Sequence, residues 1–282
     1  MTKESLITAI TTPKNLEAAY RWVCKTSKNT NYAGSSWQLR TEWQEIKEEL
    51  IDKLSSNSYH LSSPRRYNVG GRVIMWWKME DAVVLQAIAM VLAKVLRVEI
   101  SAKAKDKKKM AEQVQKEFKN YQFACKSAIS ACGSVDSKIL LARLRTKIND
   151  KTVLRLVREY CAWFTNDFPV IGGVLECPLS SLFVTWLLRD LDRTLASQKV
   201  YYVRLLGEWV ILTKTRNHLR KAIKTMAQTL AHLKFKKDRQ YSFIGWIHKG
   251  FKFLGYNLTL TEIQGDEATQ GSSSWLSKLL GK

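Results

Sequence analysis

Apolar residues recur every three to four positions over several stretches of the chain, a spacing that is typical of helices packed on a core. The predicted helices cover about residues 15–26, 38–55, 80–97, 108–120, 137–145, 152–165, 178–197 and 214–233. Short runs rich in β-branched and aromatic residues lie between them and predict strands. The clearest of these runs are residues 72–76, 201–205, 209–212 and 251–256. The pattern predicts a helix-rich α+β protein with a small sheet, mostly in the second half of the chain.

Three segments depart from this periodicity. Residues 101–109 form a basic run, for which a solvated loop is the simple interpretation and a phosphate-contacting segment is the alternative. Residues 264–274 are polar and rich in glycine and serine, as expected of a linker. Residues 275–280 then form a short apolar patch, suited to capping the domain or to docking on a partner.

The charge of the chain indicates its class of partner. Its 282 residues include 46 lysines and arginines against 25 acidic residues, a net charge of +21. Such an excess attracts phosphate backbones or anionic membrane surfaces. No stretch approaches the roughly 18 to 20 apolar residues of a membrane-spanning helix, and the first residues form no signal-peptide core. We therefore expect a cytoplasmic protein that binds nucleic acid and no membrane.

Cysteine and histidine usage excludes two classes of site. The five cysteines, Cys24, Cys125, Cys132, Cys161 and Cys177, are odd in number and include no C-x-x-C pair. This argues against a disulfide framework and against a zinc site. The four histidines form no H-E-x-x-H or comparable cluster. Buried thiols without a metal are the expected arrangement.

Two segments in the first half of the chain carry a resemblance to a known family. The sequence S-P-R-R-Y-N-V-G-G-R-V-I-M-W-W at residues 63–77 is similar to the fingers hairpin of prokaryotic reverse transcriptases of the group II intron and retron kind. The sequence E-D-A-V-V-L-Q-A-I-A-M-V-L at residues 80–92 resembles the helix that follows that hairpin.

Three later segments continue the resemblance in the same order. Residues 177–195 are similar to the turn and long palm helix of the family. Residues 199–212, K-V-Y-Y-V-R-L-L-G-E-W-V-I-L, resemble the hairpin that carries its Y-x-D-D box. Residues 243–256, F-I-G-W-I-H-K-G-F-K-F-L-G-Y, resemble its primer-grip hairpin. The resemblance covers about Trp37 to Tyr256.

The resemblance implies a fold and a division into domains. It implies a right-hand arrangement of fingers and palm, with N-terminal helices and fingers at 1–120, the palm at 121–260 and a linker with a short apolar helix at 261–282. Because only 26 residues follow Tyr256, we expect the thumb to be truncated or absent.

The positions that match the metal-binding aspartates of the family carry other residues. Nucleotidyl transfer needs two divalent cations held by carboxylates. Two adjacent aspartates of the family's hairpin fall on Gly207 and Glu208, and a third falls on Ala128, with Ser127 as the neighbouring choice. Glu208 keeps a carboxylate, but its extra methylene displaces the oxygens by about 1 Å, a misplacement that can be costly. The resemblance thus implies a degenerate site, with no cofactor unless the chain is active and binds magnesium.

Two further positions depart from the family, and a third residue has a structural interpretation. Glu176 stands at a glycine of the family's turn, where it adds bulk and negative charge beside the position of a triphosphate. Tyr241 stands at a lysine that is a candidate proton donor to pyrophosphate. Asp136 is expected to cap a helix. Because the apolar segments around the changed positions are intact, we expect a retained fold without catalysis.

Clustered basic residues are the candidate nucleic-acid contacts. The resemblance places Arg65, Arg66 and Arg72 in the fingers, and arginine's planar fork suits phosphate oxygens. The other candidates are Lys103, Lys105, Lys107, Lys108 and Lys109 in the basic run and Arg216, Arg220 and Lys224 on the late helix. The last three are four residues apart and so share one helix face.

The leading hypothesis is an RNA-binding pseudo-polymerase that works as a structural or regulatory subunit. Its partners would be RNA, or an RNA/DNA hybrid, and a protein such as an active reverse transcriptase or another effector of a mobile element or phage-defence system. The alternatives are an active RNA-directed DNA polymerase with an unconventional metal site and a basic scaffold without a nucleic-acid role. Trp76, Trp77, Trp209 and Trp246 fit either core positions or base-stacking platforms.

Overall fold

The computed structural model of the protein describes residues 5–27, 38–69, 72–99, 104–129, 136–163, 178–238 and 241–265. The predicted site residues Lys103 and Glu176 lie outside these residues, as does the apolar patch at 275–280. The side chains of Arg66, Arg72 and Lys105 lie outside the description as well.

The described residues form helices and short strands in alternation. The helices are α1 (Leu6–Thr11), α2 (Pro13–Ser27), α3 (Trp43–Ser55), α4 (Met79–Val95), α5 (Ala104–Glu117), α6 (Ser137–Arg145), α7 (Lys151–Ala162), α8 (Pro178–Leu187), α9 (Arg189–Ala196) and α10 (Arg216–His232). The strands are β1 (Arg65–Val69), β2 (Arg72–Trp76), β3 (Phe123–Ala128), β4 (Tyr201–Leu205), β5 (Glu208–Thr213), β6 (Phe243–Trp246), β7 (Phe251–Phe253), β8 (Tyr256–Leu258) and β9 (Ile263–Gly265). The predicted helix-rich α+β class is confirmed.

Each predicted helical stretch contains a helix, but the loop interpretation of the basic run is wrong in its described part. Helix α5 begins at Ala104, so residues 104–109 are helical. The physical reason lies further along the helix, where Ala111 and Val114 are fully buried. Burial of these apolar side chains stabilises the helix, and the lysine-rich first turns continue the same helix toward its N-terminal end.

The segment resembling the primer-grip hairpin is not one hairpin. Strand β6 pairs with β3, whereas β7 pairs with β8 in a separate three-stranded sheet. The predicted strand at 251–256 is therefore divided by a turn at Leu254 and Gly255. Both turn residues have positive φ, 53° and 86°, as a two-residue turn that matches the twist of its strands requires.

The largest sheet is antiparallel and has the strand order β4-β5-β3-β6. Side chains alternate between its two faces. The face we call the helix face includes Trp209, whose indole N–H donates to Met226 Sδ of α10 at 3.0 Å. The other, which we call the hairpin face, includes Ala124 and Val210 and packs in one buried cluster with α5 and with β7 and β8.

Among the described cysteines, Cys125 and Cys161 are buried, whereas Cys132 and Cys177 lie outside the described residues.

The chain forms two compact units that alternate along the sequence. Within the described residues, the first comprises 5–99 and 136–183, and the second comprises 104–129 and 184–265. The four-stranded sheet, α10 and the β7-β8-β9 sheet belong to the second unit. The predicted domains, by contrast, are continuous in sequence, so the assignment of fingers and palm stays a prediction.

One carboxylate in the first unit ties two helix starts together. Asp150 caps α7 by accepting a hydrogen bond from Val153 N at 3.1 Å. It also accepts hydrogen bonds from Ile7 N at 2.9 Å and from Ser5 Oγ at 2.8 Å, beside the start of α1. Burial alone would raise the pKa of this carboxyl, but these hydrogen bonds lower it overall.

We expect Asp150→Ala to lower the free energy of unfolding by about 1 to 2 kcal/mol, because a helix cap and further hydrogen bonds are lost. Since the folded state lowers the pKa, the stabilisation is present above the ordinary pKa near 3.8 and is lost as the pH falls through the lowered value. Urea unfolding at neutral and acidic pH measures both effects. Asp52→Ala, at an exposed position of α3, is the control, and an equal effect of the two substitutions would contradict the assignment.

Candidate functional site

The three positions that match the family's aspartates lie at one end of the four-stranded sheet. The register between β3 and β5 sets Ala128 directly opposite Glu208. The ladder continues by one bond beyond the strands, with Ile129 N donating to Gly207 O at 2.9 Å. Residues in direct cross-strand positions have Cβ atoms about 5 Å apart. The pairing thus brings together Ala128, Gly207 and Glu208.

A buried lysine occupies this end of the hairpin face. Lys126 lies two residues before Ala128 on β3 and therefore projects from the same face. Its side chain is only 4% exposed, and its Nζ lies 3.3 Å from Glu208 Oε1. The ammonium also donates to Tyr241 O at 2.8 Å and lies 4.8 Å from the centroid of the Tyr241 ring. Lys126 is thus enclosed by an anion, a carbonyl and an aromatic face.

Glu208 is committed to partners within the protein. Besides the Lys126 ammonium, its Oε1 accepts a hydrogen bond from Leu254 N at 3.1 Å, at the β7-β8 turn. A divalent cation at this carboxylate would meet an ammonium already in place, and like charges in a partly buried site repel strongly. No cluster of three or more acidic, histidine or cysteine side chains with metal-binding geometry occurs in the part of the chain that the structure describes.

The hairpin turn is closely packed around Gly207. A Cβ added to Gly207 would lie 2.6 Å from Ile129 Cγ1 and 2.9 Å from Cδ1, so a side chain there requires Ile129 to move. The positive φ of this turn, 52°, belongs to Leu206. Arg204 fixes that turn from the helix face, since its NH1 donates to Leu206 O at 2.5 Å and its Nε donates to Asp192 Oδ1 at 2.8 Å.

The remaining catalytic candidates fall at different places. Tyr241 is half-exposed beside Lys126 and precedes β6 in the chain. Ser127, the neighbouring choice to Ala128, lies on the helix face, where its hydroxyl is 2.8 Å from that of Ser242. Asp136 is confirmed as a helix cap, because its side chain accepts a hydrogen bond from Ile139 N at 2.9 Å.

The described basic candidates are mostly exposed. Arg65 at the start of β1 and Lys108 and Lys109 on α5 are exposed, and Lys107 is half-buried. Lys108 forms an ion pair with Glu112 at 4.0 Å. On α10, Arg216, Arg220 and Lys224 are all exposed, beside a buried side made of Leu219, Ala222, Met226 and Leu230. The predicted stripe on α10 therefore faces solvent.

The sequence interpretation missed Lys126 as a site residue. The signal available was its position, a lysine within an otherwise uncharged strand and two residues before Ala128. Of the four tryptophans for which the sequence left core and base-stacking roles open, Trp77 and Trp209 are buried, Trp76 is partly buried, and Trp246 is exposed. The core interpretation thus fails for Trp246.

Comparison with known proteins identifies the fold. No protein-family model and no curated protein matches the chain. Among solved structures, telomerase from Candida albicans in complex with the TWJ fragment of telomeric RNA has a TM-score of 0.50 and 11% identity, over 80% of this chain and 52% of that one. The chain has a reverse-transcriptase-like fold.

A second solved structure is similar over the same extent. A partial Cas6-RT-Cas1–Cas2 complex matches 82% of this chain and 42% of its own, with 18% identity and a TM-score of 0.43. The protein thus spans about half of the telomerase chain, and less of the complex chain. Among the helices that the structure describes, none is long and apolar enough to cross a membrane.

Proposed function

We propose that this protein is an RNA-binding pseudo-polymerase that acts as a structural or regulatory subunit of a nucleoprotein complex. The observation that carries the proposal is the pairing of Glu208 with the buried Lys126, opposite Ala128. Where the resembled family holds cations between carboxylates, this chain holds its own ammonium against its single remaining carboxylate. Catalytic metal binding would require that pair to separate.

The RNA-binding part of the proposal is supported by the distribution of charge. The excess of +21 is clustered, and three exposed cations of α10, Arg216, Arg220 and Lys224, recur at every fourth residue. Each phosphate that such cations neutralise releases counterions from the nucleic acid, which favours binding at low salt. A scaffold whose charge served only solubility would carry it dispersed over the surface.

The partner and the setting follow from the resemblance. An inactive subunit needs an active partner, so we propose an active reverse transcriptase or another effector as its protein partner, in the cytoplasm. A mobile element or a phage-defence system is the setting proposed. The second candidate function, an active polymerase with an unconventional site at Glu208, is disfavoured by the contacts of Glu208 with Lys126 and Leu254 N.

Charge reversal on α10 tests the proposed RNA binding. We expect replacement of Arg216, Arg220 and Lys224 by glutamate to weaken RNA binding and to flatten its salt dependence by a slope of about 0.7 for each lost single-strand phosphate contact. Fluorescence anisotropy over a range of salt concentrations measures both quantities. The fold should persist, because surface substitutions usually change stability by less than about 0.5 kcal/mol.

The matched control carries the same change of charge elsewhere. Lys138, Arg145 and Lys147 are exposed on and after α6, and their replacement by glutamate changes the net charge equally. We expect the control to retain most of the affinity. Equal losses in the two triple variants would show that only net charge matters, and unchanged binding in the α10 variant would exclude this helix.

A further inference from the structure

An exposed aromatic ring stands at the edge of the four-stranded sheet. Trp246 on β6 is 46% exposed, and Ile244 on the same strand is 53% exposed. Trp246 is held by neighbouring rings, since its centroid lies 4.3 Å from that of Phe123, with 34° between the planes, and 5.8 Å from that of His248. A large ring fixed by aromatic neighbours yet open to solvent is suited to stacking with a planar ligand.

This ring lies on the helix face of the sheet. Trp246 is directly opposite Phe123 in the register, three positions from Lys126 along β3, and alternation puts these two β3 residues on opposite faces. The exposed ring is thus on the side that carries α10, away from the Lys126–Glu208 pair. A ligand stacked on it would not occupy the polymerase-like site.

The same side of the sheet carries a long segment without acidic residues. Residues 214–237 include α10 and contain no aspartate or glutamate. Their cations are Lys214, Arg216, Arg220, Lys221, Lys224, Lys234, Lys236 and Lys237. Residues 243–249, which include β6, also lack carboxylates and add Lys249. This charge is complementary to a polyanion.

We infer that the helix face of the sheet binds single-stranded RNA, with an unpaired base stacked on Trp246 and phosphates on the cations of α10. The inference rests on the proposed RNA-binding function and adds which side of the sheet and which form of RNA are involved. Single strands are favoured because only an unpaired base presents a free face to an aromatic ring. The bases of a duplex are stacked on each other, so a duplex could use the cations but not the ring.

Substitution at Trp246 separates the two kinds of contact. The experiment compares the affinity of the full chain for an unstructured oligouridine with its affinity for an RNA duplex of equal length. Trp246→Ala should weaken single-strand binding about tenfold, as loss of one stacked base does, and leave duplex binding unchanged. The salt slope should not change, because no charge is removed. Trp246→Phe should keep most of the affinity.

Leu260→Ala is the matched control, since Leu260 is a 56% exposed apolar residue of the same unit, between β8 and β9. It should bind both RNAs like the unmodified chain. Equal losses of single-strand and duplex binding in Trp246→Ala, or no loss in either, would overturn the stacking site. If Trp246→Ala alters self-association in sedimentation and not RNA affinity, β6 is a contact between copies and the inference is wrong.

The same measurements distinguish failure of the proposed RNA-binding function from failure of the stacking site alone. If the unmodified chain binds no RNA of either form, both proposals are overturned. If it binds RNA and only the triple α10 variant loses affinity, the RNA-binding function stands and the stacking site alone is refuted.

Discussion

We expect the purified protein to extend no primer on an RNA or a DNA template, with either magnesium or manganese. Metal-assisted transfer needs carboxylates that hold two cations about 4 Å apart. At this end of the sheet Ala128 and Gly207 offer none, and the carboxylate of Glu208 is bound by Lys126 and by Leu254 N. A primer-extension assay with labelled nucleotides measures the outcome.

An active reverse transcriptase assayed in parallel is the positive control, and Glu208→Ala is the matched variant. Template-dependent incorporation by the unmodified chain that Glu208→Ala abolishes would overturn the pseudo-polymerase proposal. Incorporation that survives in Glu208→Ala would point to a contaminating polymerase, because the variant has lost the remaining carboxylate of the pair.

The second large effect concerns stability. We expect Glu208→Gln to lower the free energy of unfolding by about 3 kcal/mol, because it leaves the Lys126 ammonium buried without its anion. Lys126→Met should cost less, since it removes the buried charge and leaves Glu208 partly exposed and hydrogen-bonded to Leu254 N. The double variant should lose less free energy of unfolding than the two single variants lose together. Urea unfolding of the unmodified chain, both single variants and the double variant gives the coupling energy.

Glu262→Gln provides the reference for loss of an exposed carboxylate in the same unit, with an expected change below about 0.5 kcal/mol. A coupling energy near zero in the double-mutant cycle would show that the two side chains are not paired in solution. The assignment of Lys126 as the internal partner of Glu208 would then be wrong.

Local pattern predicted the helices well because their apolar faces are periodic over many residues. Helix α6 begins where the cap at Asp136 predicts. The same reasoning missed β3, since its sequence F-A-C-K-S-A contains small residues and a lysine in place of β-branched ones. That strand is set by its neighbours β5 and β6, which are distant in sequence.

The contacts of the candidate site could not be predicted for the same reason. The resemblance indicated Ala128 and Glu208, but their pairing depends on the register between strands about 80 residues apart. The contacts of Lys126 come from β5, which supplies Glu208, and from the segment before β6, which supplies Tyr241. The exposure of a side chain also depends on elements that are distant in sequence. Trp209 is buried under α10, whereas Trp246 lies on an edge strand of the sheet.

The packing around Gly207 couples its substitution to the residue at position 129. Its φ is not left-handed, so the backbone would accept an aspartate there, but the side chain of Ile129 occupies the space of the new Cβ. Position 129 therefore influences whether an aspartate is accepted at 207: either the Ile129 side chain moves, or a smaller residue there opens the space at the cost of apolar contacts. Substitutions at 129 and 207 should therefore be epistatic, with an aspartate at 207 better tolerated when residue 129 is smaller.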